Sequence, residues 1–211
     1  MVVDWRRWWK TRLTDERSDV FTVVAHSEQG DDGVRKLVVY ELLSLDGAAE
    51  HPDEFITDFD HVMRENLGRV IATQDAVLLG RRTYDDWADF WPTSDIEPFA
   101  SFINVVEKLV VTSTTLGKTW ANTTIIDGDL LELVPELKRR SGGDIGVHGS
   151  IALTQALLEG GLVDELRLVV APALQIHGRK LFEKGSSRRL TLTRNVTSPS
   201  GYLLLDYQVD P

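Results

Sequence analysis

Short apolar runs rich in β-branched residues alternate along most of the chain with longer stretches in which apolar residues recur every third or fourth position. These are the signatures of buried strands and amphipathic helices. The first run, LVVYELL at 37–43, predicts a buried strand that ends in the turn Ser44-Leu45-Asp46-Gly47. Phe55, Ile56, Phe59, Met63, Leu67 and Val70 keep helical spacing, with Pro52 just ahead, and predict a helix over 53–73. Residues 76–79 predict a second strand closed by Gly80, 108–112 a third and 120–126 a fourth. The stretch 85–95, DDWADFWPTSD, is too irregular for a long helix. DLLELVPELKRR at 129–140 reads as a helix with its acids early and its bases late, as a helix dipole favours, interrupted by Pro135. A fifth strand is expected at 144–148, a helix at 150–159 ending at Gly160-Gly161, and a long sixth strand at 163–174. The tail alternates with a two-residue period over 188–196 and 202–209 around Pro199-Ser200-Gly201, the pattern of an antiparallel hairpin.

Strand-helix alternation closed by a hairpin defines an α/β fold: a mainly parallel sheet with helices on both faces and an antiparallel edge. Such sheets bind ligands beyond the carboxyl ends of their strands, which directs attention to the turns at 44–47, 80–84, 112–115 and 148–151.

Residues 1–35 stand apart from this pattern. Trp5, Trp8, Trp9 and Leu13 fall on one face of a short helix, followed by the polar, glycine-punctuated stretch HSEQGDDG at 26–33. The expected organisation is an N-terminal extension over 1–35 and one domain over 36–211. So short a helix needs a surface to pack on, either the domain itself or a partner subunit; a basic, Trp-rich face lying on a membrane surface is the alternative. The C-terminal strands and the tryptophan face are candidate surfaces for a homodimer.

Composition narrows the function classes. Lys and Arg number 23 against 33 Asp and Glu, a formal charge of −10, so a broad nucleic-acid surface is not expected and any anionic ligand must be held locally. With no cysteine there is no disulfide, thiolate metal site or cysteine nucleophile. The histidines never fall at a metal-ligand spacing, so no metal site is expected. No apolar run is long enough for a signal-peptide core or a membrane span, which points to a cytoplasmic protein.

Three of the strand ends carry anion-binding chemistry. Gly80-Arg81-Arg82-Thr83-Tyr84 couples a glycine and a helix start to two guanidinium groups. Thr112-Ser113-Thr114-Thr115 is a run of hydroxyls, and His148-Gly149-Ser150-Ile151 is a glycine followed by an N-cap type residue. Each has an ordinary explanation as turn chemistry. Three at successive strand ends point to one extended, polyphosphate-bearing ligand, although no G-x-G-x-x-G follows the first strand.

In order, SLDG at 44–47, DAVLLGRRTYDDW at 75–87, FWPTSD at 90–95, GGDIGVHGS at 142–150, LLEGGLVDEL at 157–166 and GRKLF at 178–182 resemble the dihydrofolate reductase-like superfamily. More narrowly they are similar to its bacterial branch related to the C-terminal reductase domain of riboflavin biosynthesis. The resemblance implies a three-layer αβα fold with an eight-stranded, mainly parallel sheet and a C-terminal antiparallel hairpin. It implies NADPH as hydride donor and a pteridine-like or ribosylaminopyrimidine-like acceptor. It places Gly80, Arg81, Arg82 and Thr83 at the cofactor's pyrophosphate and 2′-phosphate, and Ser113 and Thr114 at the adenosine ribose phosphate. Gly149, Ser150 and Ile151 fall at the phosphate on the nicotinamide side, and Ser44 to Gly47 beside nicotinamide and substrate. One departure is Ile176, where the turn before GRKLF usually carries a second glycine.

Reduction of a C=N bond also needs a proton source. At roughly 100° per residue the apolar arc of the 53–73 helix centres between Phe59 and Leu67 and takes in Asp60, which makes Asp60 the first candidate for the catalytic, substrate-side acid. Asp60 is equally placed to pair with Arg64 one turn on, and Asp46 in the SLDG turn is its rival. Trp87 is a candidate wall for a flat substrate or a cap on the core. Two alternatives stay open: a nucleotide-binding protein on a reductase fold without that activity, and a broad-specificity imine or carbonyl reductase.

Overall fold

A computed structural model of the protein describes residues 34–183 and 185–210; the tryptophan-rich segment and polar linker lie outside the described residues. Eight strands form one sheet: β1 (Leu37–Leu43), β2 (Gln74–Gly80), β3 (Glu107–Val111), β4 (Thr123–Ile126), β5 (Asp144–His148), β6 (Glu165–Val170), β7 (Leu190–Thr197) and β8 (Leu203–Val209). Their spatial order is β4-β3-β2-β5-β1-β6-β8-β7. The six strands from β4 to β6 run parallel, and β8 and β7 add the antiparallel hairpin. This is the dihydrofolate reductase-like architecture.

Alternation along the central strands divides the core into two layers. Tyr40, Val77, Leu79, Val110 and Val169 face α1 (His61–Ile71), α2 (Arg81–Phe90) and α3 (Phe99–Val105). Leu37, Val39, Leu78, Ile145 and Leu168 face α4 (Leu130–Lys138) and α5 (Ile151–Glu159). Because both faces are covered, the strands read as nearly continuous apolar runs. α1 buries Met63, Leu67 and Val70 against the first layer. At about 1.5–3 kcal/mol for each fully buried side chain, that face anchors the helix.

The expected 53–73 helix is a correction. Only a short 3-10 turn forms at Pro52–Glu54, and α1 begins at His61. The chain between is held open by the Tyr202 hydroxyl, which accepts from the backbone N–H groups of Thr57 at 2.9 Å and Asp58 at 3.2 Å. Phe55, Ile56 and Phe59 still reach the core, so helical spacing arose there without a helix. The stretch after Gly80 departs the other way. Tyr84, Trp87 and Phe90 line up as the buried face of a ten-residue helix, which Pro92 converts to a 3-10 turn at Trp91–Thr93. The sixth strand stops at Val170, two residues before Pro172, and α4 runs through Pro135.

Candidate active site

The sheet order sets β3, β2, β5 and β1 side by side, so the turns that leave them share one edge. A cavity of about 570 Å³ opens across that edge. Arg82, Thr83, Gly149 and Ile151 line it together with Phe59, Leu67, Trp87, Trp91 and Phe99.

Hydrogen bonds tie the three anion-type turns together. The Ser150 hydroxyl accepts from the Gly80 N–H at 3.1 Å and meets the Thr83 hydroxyl at 3.2 Å. A side chain at Gly80 would come within 2.6 Å of that hydroxyl. Arg81 donates to Thr114 Oγ1 at 2.6 Å and to Asp85 at 2.7 Å. Ser150 is the N-cap residue of α5, yet its hydroxyl is turned to Gly80 and does not cap, and Gly80 caps α2 without a side chain. Both helices therefore start with first-turn N–H groups that no capping side chain occupies, at adjacent strand ends. Gly149 has φ 65°, and a Cβ there would lie 3.3 Å from the Trp87 ring. Arg82 lines the cavity and, among the described residues, makes no hydrogen bond or ion pair, whereas Arg81 is committed to its neighbours. Ser113 is exposed beside Thr114, outside the cavity lining.

The aromatic wall is mutually braced. Trp87 meets Trp91 edge-on at 5.8 Å and Phe99 at 5.6 Å, so Trp87 serves both the core and the cavity. Behind it His148, only 3% exposed, packs 5.3 Å from Phe99 and 5.7 Å from Tyr40. Its Nε2 lies 2.8 Å from Gln74 Oε1. Burial, with the positive charge of Arg167 adding to it, pushes the imidazole down to about 3, so it is neutral at physiological pH. The amide oxygen only accepts, so Nε2 carries the proton and Nδ1 keeps its lone pair.

The two carboxylates singled out as acids occupy other roles. Asp60 precedes α1 as its N-cap and accepts from the Met63 N–H at 3.0 Å and from the Ser200 N–H at 3.1 Å. Partial burial works upward on its carboxyl, but these donors and the side chains of Ser198 and Ser200 outweigh it and hold the group below the usual range. The wheel that placed it on an apolar arc assumed a helix that does not reach it. Asp46 accepts from Gln175 N–H at 2.8 Å, Ser44 Oγ at 2.8 Å and Ile176 N–H at 3.1 Å, which keep its carboxyl well below the ordinary value. Neither is among the cavity-lining residues, nor are Ser44 and Gly47; the loop reaches the cavity only at Ala49 to Pro52. The SLDG turn instead braces the 175–176 turn, where Ile176 sits at φ 64° in place of glycine.

Sequence reasoning passed over Glu41. It lies inside β1, is 3% exposed, lines the cavity and accepts from the Thr154 hydroxyl of α5 at 3.2 Å. Burial pushes its carboxyl up to about 8. A lone acid within an apolar run was the available signal.

The sheet order and the C-terminal antiparallel hairpin define the dihydrofolate reductase-like fold. The chain belongs to the RibD C-terminal domain family, whose model matches residues 35–204. The uncharacterized protein YyaP of Bacillus subtilis (strain 168) is 28% identical over 181 residues, covering 82% of this chain and 94% of that protein. Among solved structures, a protein assigned to riboflavin biosynthesis from Shewanella sp. PV-4 superposes with a TM-score of 0.69 at 17% identity, over 83% of this chain and 99% of that one. Dihydrofolate reductase from Enterococcus faecalis, complexed with NADP(H) and RAB-propyl, superposes with a TM-score of 0.55 at 12% identity, over 83% and 97% of the two chains. Among the described residues no helix is long and apolar enough to cross a membrane.

Proposed function

We propose that the protein is an NADPH-dependent reductase of a small C=N or C=O acceptor related in shape to a pteridine or a ribosylaminopyrimidine. The observation that carries this reading is Arg82: a guanidinium that lines the cavity, makes no hydrogen bond or ion pair among the described residues, and stands beside two helix starts free of capping side chains. That arrangement suits a phosphorylated nucleotide on a chain of net charge −10, where anion capture must be local. Gly149, whose missing side chain leaves the space beside the Trp87 ring open, fits the same ligand.

In this reading the α2 start at Arg81 to Thr83 and the α5 start at Gly149 to Ile151 hold the phosphates. Ser113 and Thr114 approach the ribose phosphate, and Arg82 pairs the 2′-phosphate that separates NADPH from NADH. The bound cofactor supplies a hydride. The chain itself orients the acceptor against the aromatic wall and excludes water from it.

Tryptophan fluorescence titrated with NADPH and with NADH tests the assignment. Arg82→Ala weakens NADPH on the order of tenfold and leaves NADH nearly unchanged. Equal losses for both nucleotides would remove the 2′-phosphate role from Arg82, and the absence of NADPH binding to the wild type would end the cofactor assignment.

A further inference from the structure

Three ionisable side chains at the cavity are buried, and all are held uncharged near neutrality by burial: Tyr40 as the phenol, His148 as the neutral imidazole and Glu41 as the protonated acid. The walls that enclose this end are aromatic, and α1 contributes only Leu67 to the cavity. A flat, neutral ring system would lose little water and gain stacking against Trp87, Trp91 and Phe99.

Among the described residues, Glu41 is a carboxyl set within a central strand at the cavity. It points to the α4 and α5 side of the sheet, with the alternating Leu37, Val39 and Leu43, and still reaches the cavity across the end of β1. Its neighbour from α5 is Thr154, whose hydroxyl donates to Oε1, and its register partner on β6 is Leu168. The other ionisable groups at the cavity are Tyr40, Glu50, His51, Arg82, Asp86, His148 and Arg179, and none of them bonds to it. Glu50 is engaged by Arg179 at 3.0 Å. An acid that stays protonated at neutral pH, is fixed by a hydroxyl and opens onto an aromatic-walled cavity is a hydrogen-bond donor waiting for an acceptor atom.

We propose that Glu41 is the proton donor of the reaction and that the acceptor is a planar, uncharged compound whose reacting C=O or C=N group lies against it. This rests on the reductase reading above. As the acceptor carbon takes a hydride from the reduced nicotinamide, the π electron pair moves onto the oxygen or nitrogen. The Glu41 O–H bond breaks as the new O–H or N–H bond forms. The acceptor is reduced by two electrons, the nicotinamide is oxidised by two, and the Glu41 carboxylate regains its proton from water. Thr154 holds Oε1 throughout and acts as a positioning residue.

The test uses the full chain, with NADPH and two probes, 4-nitrobenzaldehyde and 3,4-dihydroisoquinoline. Three quantities are read: the NADPH dissociation constant by tryptophan fluorescence, kcat as a function of pH, and the infrared C=O stretch of a protonated carboxyl in the protein alone. Glu41→Gln, a neutral isostere of the protonated acid, is expected to bind NADPH as the wild type does and to lose roughly 100-fold in kcat. It should also lose both the wild-type decline in rate above pH about 8 and one carboxylic-acid band. Glu41→Asp should keep the band and the decline at reduced rate. The proposal is overturned if Glu41→Gln retains wild-type kcat and pH profile, if no band disappears, or if the wild type binds NADPH but reduces neither probe; in these cases the cofactor assignment stands. If the wild type does not bind NADPH, the reductase reading fails and the proposal with it.

Discussion

Gln74 and His148 share a hydrogen bond of 2.8 Å in the space that a side chain on Gly146 would need. A Cβ at 146 would overlap Gln74 Oε1 and lie within 2.9 Å of His148 Nε2. The glycine is therefore required by the pair that flanks it, since its backbone sits in an ordinary strand. Gly146→Ala is expected to displace Gln74 or the imidazole and to cost about 1–3 kcal/mol. The urea midpoint measures it, and a Gln74→Ala, Gly146→Ala double variant should show much less than the sum of the two losses.

His148 and Glu41 make stability depend on pH in opposite senses. For His148 the folded value is about 3 against 6.5 for the free side chain, so between these the unfolded chain binds the proton that the folded chain refuses. Its contribution is complete above 6.5 and is lost as pH falls toward 3. For Glu41 the folded value is about 8 against 4.5, so the folded chain binds more protons across that window. Its contribution is complete below 4.5 and is lost as pH rises through about 8. Urea unfolding at a series of pH values should show His148→Phe flattening the acid limb and Glu41→Gln flattening the neutral one. An unchanged neutral limb in Glu41→Gln would refute the buried acid.

Asp60 is expected to matter for stability and not for the cofactor. Asp60→Ala removes the α1 cap and the contact to Ser200, at about 1–2 kcal/mol, while Asp60→Asn retains a capping oxygen and most of the stability. Thermal unfolding paired with NADPH titration separates the two effects. A loss of NADPH affinity in a folded Asp60→Asn protein would return the residue to the site.

Ile176 holds a left-handed backbone with a β-branched side chain, 83% of it exposed to solvent. The conformation is fixed by Asp46, which accepts from both backbone N–H groups of the turn. Ile176→Gly should relieve strain and raise stability by about 1 kcal/mol, read from the denaturation midpoint. A decrease would show that the exposed side chain makes a compensating contact.

The strands were legible because both faces of the sheet are covered, which leaves runs such as LVVYELL and DAVLLG with little alternation to confuse them. The strand-end turns followed from the same reading, and with them the placement of Arg82, Thr83, Gly149 and Ile151. The segment 55–60 misled because Phe55, Ile56 and Phe59 pack like helix residues while the hydroxyl of Tyr202, distant in sequence, replaces the helical hydrogen bonds. Asp60 was misplaced for that reason alone. Glu41 escaped because an acid inside a strand run carries no record of whether the position meets a helix, solvent or a cavity; that depends on where α5 lands.

β1 pairs with β5 on one side and β6 on the other, so the strand made first among the described ones has neighbours that follow it late in the chain. Until residue 148 has left the ribosome, LVVYELL can find neither of its native partners, and until residue 170 it lacks the second. The part of the cavity lining that Glu41 supplies thus assembles only after β6 is made, by closure of a long loop whose entropy is spent before most native contacts repay it. A bare strand of this composition is prone to pair wrongly while it waits. Its buried acid interrupts an otherwise uniformly apolar run, and in the open chain, fully hydrated and ionised, it places a charge where intermolecular β-pairing would begin.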